Sequence, residues 1–390
     1  MDKPQYFHLP IGSVQVLART LGTHPDLLCD IARKVDQSYT SFDIPKKNGS
    51  FRTVVEPKHE LKKLQKRINT RILEHVQYPL YLQGGIKDKN NPRDYIKNAS
   101  IHGKPEIVIT LDIKNFYTNI QREKVLKIFK LFFNFEPDVA NLLTDLTTFN
   151  GRVPQGGCCS SYLANLVFFN SEYKLVQSLR RHGWRYSRLL DDITISSLTH
   201  VEDIESPIKD IAALCTKYGL KINNKKTKIS YRKHGISDLC VTGVWIGHNQ
   251  PRIQKEERRY IRLLTHICEQ KYKEDPYSDD YHKLWNMVSG KVAKLARHNH
   301  ANAQDYRGRL QDVFPLCDEH NKNSIIREVK TICGKPSQSH YRIGFIKKLN
   351  KAYYSLGILS RTDKKLSKSL RKEISEKHPQ VPSIKKYWER

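Results

Sequence analysis

Apolar residues along the chain change their period several times, and each change marks a new element. Between residues 10 and 36 they recur at helical spacing, and residues 23–26 divide the stretch into two helices. Residues 41–57 read as two short strand-like runs around Asn48-Gly49, the signature of a β-hairpin. Residues 59–77 follow as an amphipathic helix with Leu61, Leu64, Ile68 and Ile72 on one face. The run EIVITLD (106–112) predicts a buried strand ending in an acid. A polar helix over about 122–133, a loop over 151–157 and a helix over 160–179 come next. In YSRLLDDITISS (186–197), two short strands flank a pair of aspartates at their turn. A helix over about 202–217, the segment 220–231 and a strand near 241–246 complete this part. From residue 255 onward the pattern is helical and basic. Strand, helix, hairpin, helix and strand in that order predict an α+β fold, an antiparallel sheet with helices on one face.

Charge narrows the partner. Sixty-eight Lys and Arg face 40 Asp and Glu among 390 residues, a formal net charge of +28. Such an excess repels itself in a folded chain, and a polyanion relieves the cost. A ribosome-associated or chromatin-like binder would satisfy the charge equally well. The last 49 residues, from Arg342, hold 14 Lys and Arg against 4 Asp and Glu. The opening MDKPQYFHLP has no basic start followed by an apolar run, and the stretch 162–169 is too short to cross a bilayer. Eight scattered cysteines without a C-x-x-C pair predict a reduced, cytoplasmic protein with no structural zinc and no membrane partner.

The carboxylates suggest the chemistry. Nucleotidyl transfer uses two divalent ions about 3.5–4 Å apart, held by oxygen ligands. Asp112 ends one strand, and Asp191-Asp192 lie between Leu190 and Ile193. An acidic pair among apolar strand residues is costly to bury unless cations neutralise it. Taken alone, such a pair also reads as ordinary turn aspartates.

These residues sit within a longer likeness. With IPKKNGSFR (44–52), LDIKNFYTNI (111–120), VPQGGCCSSYLANL (153–166), LLDDI (189–193) and GLKINNKKTKI (219–229) in that order, the chain from about residue 16 to residue 310 resembles a reverse transcriptase of the retron and related bacterial defence group. IPKKNGSFR (44–52) resembles the fingers hairpin, whose basic residues (Lys46, Lys47 and Arg52 here) meet an incoming triphosphate. LDIKNFYTNI (111–120) resembles motif A, VPQGGCCSSYLANL (153–166) motif B, and GLKINNKKTKI (219–229) motif D. LLDDI (189–193) stands where the family has Tyr-x-Asp-Asp. NASIH (98–102) and VTG (241–243) are similar to two short signatures of retron enzymes. There are departures: Leu189 replaces the family's tyrosine, Asn115 stands where many relatives carry an acid, and Gly157-Cys158-Cys159 replaces the usual run after Pro-Gln-Gly.

The resemblance implies a right-hand polymerase fold. It places N-terminal helices and fingers in 1–105, the palm in 106–250, a helical thumb in 251–340 and a basic tail suited to RNA contact in 341–390. Asp112, Asp191 and Asp192 become the catalytic triad and, with the Ile113 carbonyl, the ligands of two Mg2+ ions that Mn2+ would replace. Arg52 and Lys46 would grip triphosphate oxygens, Tyr117 would exclude a ribose 2′-hydroxyl, and Gln155 with Gly156 would meet the nucleotide. Lys226 would donate a proton to pyrophosphate, with Lys225 and Lys228 as competing neighbours, whereas His102 reads as a hydrogen-bonded packing residue. In the tail, Tyr353, Tyr354, Tyr387 and Trp388 are candidates for stacking on bases. The implied function is RNA-directed DNA synthesis from dNTPs on a dedicated, structured non-coding RNA in an anti-phage system. The partners would be that RNA, its cDNA product, and an effector protein or a second copy of the chain. Three alternatives stay open: a template-independent or protein-primed DNA polymerase, an RNA-directed RNA polymerase, and a non-catalytic basic nucleic-acid-binding module.

Overall fold

The computed structural model describes residues 2–46, 49–88, 90–235 and 239–389. Lys47 and Asn48 of the expected hairpin turn lie outside the described residues. Two compact units divide the chain at Arg252 and Ile253.

The first unit opens with α1 (Val14–Leu21) and α2 (Pro25–Arg33). Ser13 caps α1 through the Val16 amide and Gly22 closes it in the left-handed conformation, which sets the break expected there. Strands β1 (Tyr39–Pro45) and β2 (Phe51–Pro57) pair antiparallel, from Tyr39 opposite Pro57 to Pro45 opposite Phe51. Next, α3 (His59–Arg71) ends earlier than its apolar stripe suggested, giving way to a 3₁₀ turn over Leu73–His75. Leu61, Leu64, Ile68 and Ile72 are nevertheless all buried.

Then come β3 (Leu82–Gln83), α4 (Tyr95–Ser100), β4 (Ile107–Asp112), α5 (Phe116–Asn119) and α6 (Arg122–Lys127), the last running on as a π turn over Ile128–Phe132. Helix α7 (Pro137–Thr147) was not expected, although Pro137 at its start and Val139, Leu143 and Leu146 on one face signal it. The single helix expected over 160–179 is two, α8 (Ser160–Leu166) and α9 (Glu172–Arg181). Strands β5 (Trp184–Leu189) and β6 (Asp192–Ser197), helix α10 (Glu205–Lys217) and β7 (Lys228–Tyr231) follow. The strand expected near 241–246 is instead a small hairpin, β8 (Cys240–Val241) and β9 (Val244–Trp245), turning at left-handed Thr242 and Gly243.

The main sheet has the order β3-β5-β6-β4-β7, antiparallel except for the β3–β5 pair. One apolar core runs from Ile11 to Leu220, so residues 1–105 and 106–250 share a core rather than owning one each. Strand alternation divides the sheet's faces. Ile107, Ile109 and Leu111 enter this core, while Val108 turns the other way into a small cluster with Ala99, Leu239, Val241, Val244 and Ile246. The second face is therefore partly covered too, by α4 and the β8–β9 hairpin, and NASIH and VTG meet there.

The second unit is helical. Helices α11 (Lys255–Glu274), α12 (Asp279–Arg297) and α13 (Ala303–Asp312) pack through Ile261, Leu264, Val288, Val292, Leu295 and Tyr306. Helices α14 (Glu319–Cys333), α15 (Ile343–Thr362) and α16 (Lys364–Lys377) share another core, including Ile325, Val329, Phe345, Leu356, Leu370 and Ile374, with α17 (Ile384–Glu389) after them. Residues 341–390 are thus no simple tail: most of their apolar positions recur at helical spacing and fold against α14. Tyr353 is half-buried beneath Arg371, and the exposed Tyr354 accepts a hydrogen bond from Asn286 at 2.8 Å. Among the described residues the cysteines are free and no helix is long and apolar enough to cross a membrane.

Candidate active site

The register of β4 on β6 places Asp112 opposite Asp192. Both sit at the end of the face turned away from the main core, because their neighbours Leu111 and Ile193 point into it. Asp191 lies in the two-residue turn joining β5 to β6, behind Leu190, whose φ of 60° is left-handed. The Ile113 amide donates to the Asp191 carbonyl at 2.9 Å, tying this turn to the strand that carries Asp112. On the other side, the Asn223 amide donates to the Asp112 carbonyl at 2.7 Å. Three carboxylates from two segments thereby converge at one end of neighbouring strands.

Their charges repel, and the surroundings record it. Burial, with the Asp112 charge added, raises Asp191 above the ordinary carboxylate range, against the opposing pull of Lys226 and Arg52. Asp192 is pushed up to about 6 by desolvation and then by Asp191 and Asp112, although more than a third of the residue faces solvent. Asp112 is the buried member and the compensated one. Its Oδ2 accepts from Lys226 Nζ at 2.8 Å, and its Oδ1 from Asn223 Nδ2 at 3.1 Å. The first of these bonds in turn raises the Lys226 ammonium. Among the described residues no three His, Cys, Asp or Glu side chains are gathered closely enough to hold a metal. The backbone sets the acids at one strand end, and there Lys226 is paired with Asp112 Oδ2.

Arg52 stands exposed on β2, and its charge reaches Asp191. Lys46 is also exposed, at the hairpin end, where its amide donates to the Ser50 carbonyl at 2.7 Å. Tyr117, on α5 just beyond Asp112, is half-buried against the main core; burial raises its pKa, so the phenol stays protonated. The Gln155 carbonyl accepts from the Val55 amide at 2.9 Å. Gly156 has a φ of 121°, and a Cβ there would run into the Val55 carbonyl oxygen. The close approach that this glycine permits is thus to β2.

The family model described as reverse transcriptase (RNA-dependent DNA polymerase) matches residues 44–263. The Retron Se72 reverse transcriptase of Salmonella heidelberg (strain 579083-10) is 40% identical over 385 residues, covering 96% of this chain and 98% of that protein. The chain belongs to the retron reverse transcriptases. It is an RNA-directed DNA polymerase of a retron system. The Retron Ec48 reverse transcriptase of Escherichia coli is 30% identical over 365 residues, covering 91% of this chain and 89% of the relative. At 26% identity, the Retron Ec86 reverse transcriptase of Escherichia coli matches over 234 residues, 59% of this chain and 70% of its own. Reverse transcriptases as a family use divalent metal ions.

Several residues that position the site of this retron reverse transcriptase escaped the sequence reading. Asn223 holds one oxygen of Asp112. Gln65 on α3 accepts from the Cys158 amide at 3.0 Å and Asn69 donates to the Cys158 carbonyl at 2.7 Å, which pins the loop carrying Gln155 and Gly156. Gly84 and Gly85 follow β3 with φ of 76° and 66°, and side chains there would strike Leu189 and Ser161. Leu189, the departure from the family's tyrosine, packs on that bare backbone. Asn223 lies inside the motif D segment, which was its signal; Gln65 and Asn69 lie in no motif, and the Gly-Gly pair was a visible signal for the turn after β3.

His102 sits in the second face of the sheet, fully buried, with Nδ1 2.7 Å from Ser196 Oγ and Nε2 2.8 Å from Ser187 Oγ. It is the hydrogen-bonded packing residue expected. Burial, aided by the Arg185 charge, lowers its pKa from 6.5 to about 3. A base depressed in the fold contributes stability that is complete above 6.5 and drains away as pH falls from there toward 3. Glutamine keeps polar contacts without titrating. H102Q should therefore lose less melting temperature than the parent between pH 7 and pH 5; equal losses in both proteins would remove His102 from the acid response.

Proposed function

We propose that Asp112, Asp191, Asp192 and the Ile113 carbonyl hold two Mg2+ ions at which dNTPs are added to a primer end, with Mn2+ an acceptable substitute. The observation that carries this is the Asp112–Asp192 register with Asp191 locked beside Ile113. An all-oxygen donor set, in which burial and neighbouring carboxylate charge raise Asp191 and Asp192, suits hard divalent cations. Bound there, the metal would lower the primer hydroxyl's pKa and neutralise charge on the leaving pyrophosphate. Lys226 exchanges its place on Asp112 for a position beside the pyrophosphate, as a cationic proton donor. Arg52, with Lys46, grips triphosphate oxygens from the β1–β2 hairpin; a guanidinium fork suits this better than an ammonium. Tyr117 excludes a 2′-hydroxyl, and Gln155 lines the nucleotide's path beside Gly156. In this reading 1–105 with 106–250 act as fingers and palm, and the second unit as thumb and RNA-binding extension.

The template is a dedicated, structured non-coding RNA, and the product its cDNA, within a cytoplasmic anti-phage system that includes an effector protein or a second copy of the chain. The decisive assay supplies an annealed DNA primer on RNA, dNTPs and Mg2+. Labelled DNA should form only with template and only from deoxynucleotides. Equal synthesis without template would favour the untemplated or protein-primed alternative, and synthesis from ribonucleotides alone the RNA polymerase.

Deleting 342–390 is a poor test of RNA selectivity, because it would strip the α14 core residues Ile325, Val329 and Ile332 of their partners on α15 and α16. Neutralising Lys347, Lys348 and Lys351, exposed on α15, avoids this. The triple Gln variant should bind its RNA more weakly, with the log–log salt slope smaller by about 0.7 for each lysine that meets a phosphate. An unchanged slope would place the RNA elsewhere.

A further inference from the structure

A charged side chain lies where the alternation of β5 calls for an apolar one. Arg188 shares the core face of β5 with Trp184 and Tyr186, and none of its surface is exposed. A buried guanidinium is stable only when its donors are met, and all five N–H groups here have an acceptor. Nε and Nη2 fork onto Glu172 at 2.6 and 2.9 Å. Nη2 also reaches the Asn165 carbonyl at 3.1 Å and Nη1 the Ala164 carbonyl at 3.3 Å, both near the C-terminal end of α8. The fifth bond runs from Nη1 to the Leu190 carbonyl at 3.1 Å. The Arg188 guanidinium carbon lies 5.9 Å from the Phe116 ring centroid and 5.2 Å from that of Phe168. Glu172 is itself oriented by the Tyr186 hydroxyl at 2.7 Å.

Each attachment leads to a different part of the site. Leu190 is the turn residue before Asp191, Ala164 and Asn165 belong to the helix that carries Ser161, and Phe116 precedes Tyr117. Leu190 is also left-handed, a conformation that a branched L-residue keeps only when its surroundings impose it. From the strand side, Arg188 holds its carbonyl. From the other, its side chain lies against Gly84 and Gly85, at distances that would be ordinary contact even with a Cβ there.

We propose that Arg188 is a positioning residue for DNA synthesis, its five-bonded guanidinium holding the Leu190–Asp191 turn so that Asp191 and Asp192 face Asp112. It touches neither substrate nor the reacting atoms. Packing alone would be served by an apolar side chain; the bond to the Leu190 carbonyl would not. The proposal rests on Asp191 and Asp192 carrying the chemistry, and synthesis surviving in D191N would refute that reading rather than the role of Arg188.

Two variants separate positioning from general stability. Arg188→Lys keeps a charge for Glu172 but has no fork to reach Leu190 as well. The pair Glu172→Met with Arg188→Met removes both charges together, which leaves neither ion stranded in the core. Primer extension is measured for each below its own melting temperature. Displacing the turn by about 1 Å should cost about a hundred-fold in kcat, while KM for dNTP stays within about twofold. Adding Leu190→Gly to Arg188→Lys supplies the sharper readout. Glycine adopts the left-handed turn without penalty, so the second change should recover at least about tenfold of the lost kcat, after correction for L190G alone. A general packing defect would not be repaired by removing a second side chain. The proposal is overturned if kcat stays within about threefold of the parent in both variants, if the loss appears in KM alone, or if L190G recovers nothing. Should one variant fail to fold, the other, with the glycine test on whichever folds, decides the question by itself.

Discussion

Changing Asp191 or Asp192 to Asn is expected to lower DNA synthesis by about a thousand-fold or more, the scale on which loss of preorganised charge stabilisation acts. Circular dichroism should remain that of the parent, because both carboxylates lie at the turn end of β5 and β6, outside the apolar core. For Asp192 a second, opposite effect accompanies the loss. Its folded pKa is raised from 3.8 to about 6, so the stability tied to its proton is fully present below 3.8 and is lost as pH rises through 6. At pH 8 without divalent metal, the parent bears an ionised group that its surroundings disfavour, and D192N does not. The variant should then melt higher than the parent at pH 8, with the gap closing below pH 4. Robust polymerisation by the double Asn variant would sink the catalytic assignment; a D192N protein less stable at pH 8 would sink the account of charge repulsion.

Tyr117→Val should shift sugar selectivity. The ring packs on the main core beside Phe116, whose ring centroid lies 5.9 Å away, so its place beyond Asp112 is set by packing. If the phenol plane meets the nucleotide's 2′ position, shortening it admits the hydroxyl. Ribonucleotide incorporation relative to deoxynucleotide should rise by about ten- to a hundred-fold, the discrimination that a steric pocket supplies. Kinetics with each dNTP and its rNTP counterpart on one template measure it. An unchanged ratio would make Tyr117 a packing residue only.

Much of this molecule was legible in one dimension. β4, the aspartate turn between β5 and β6, the β1–β2 hairpin and α1 with α2 all depend on local patterns: period, cap, turn residue. The misreadings share another cause. Residues 160–179 look like one helix because no Gly or Pro marks the turn at 167–171 that separates α8 from α9. Residues 341–390 look like a tail because their charge density masks the apolar positions that α14 covers. Lys226 looks free for a nucleotide, yet folding lays it on Asp112.

The sequence by itself determined which acids are present and that two of them share a turn. It also determined that the faces of the sheet would differ, since side-chain alternation needs only neighbours along the strand. Only the tertiary structure decided that Asp112 meets Asp192, because register is a relation between strands eighty residues apart. It alone decided that His102 lies between two serines, that Gly156 makes room for β2, and that a buried arginine lies under the turn. Those roles come from desolvation and from partners distant in the chain, and neither is a property of a residue's neighbours in sequence.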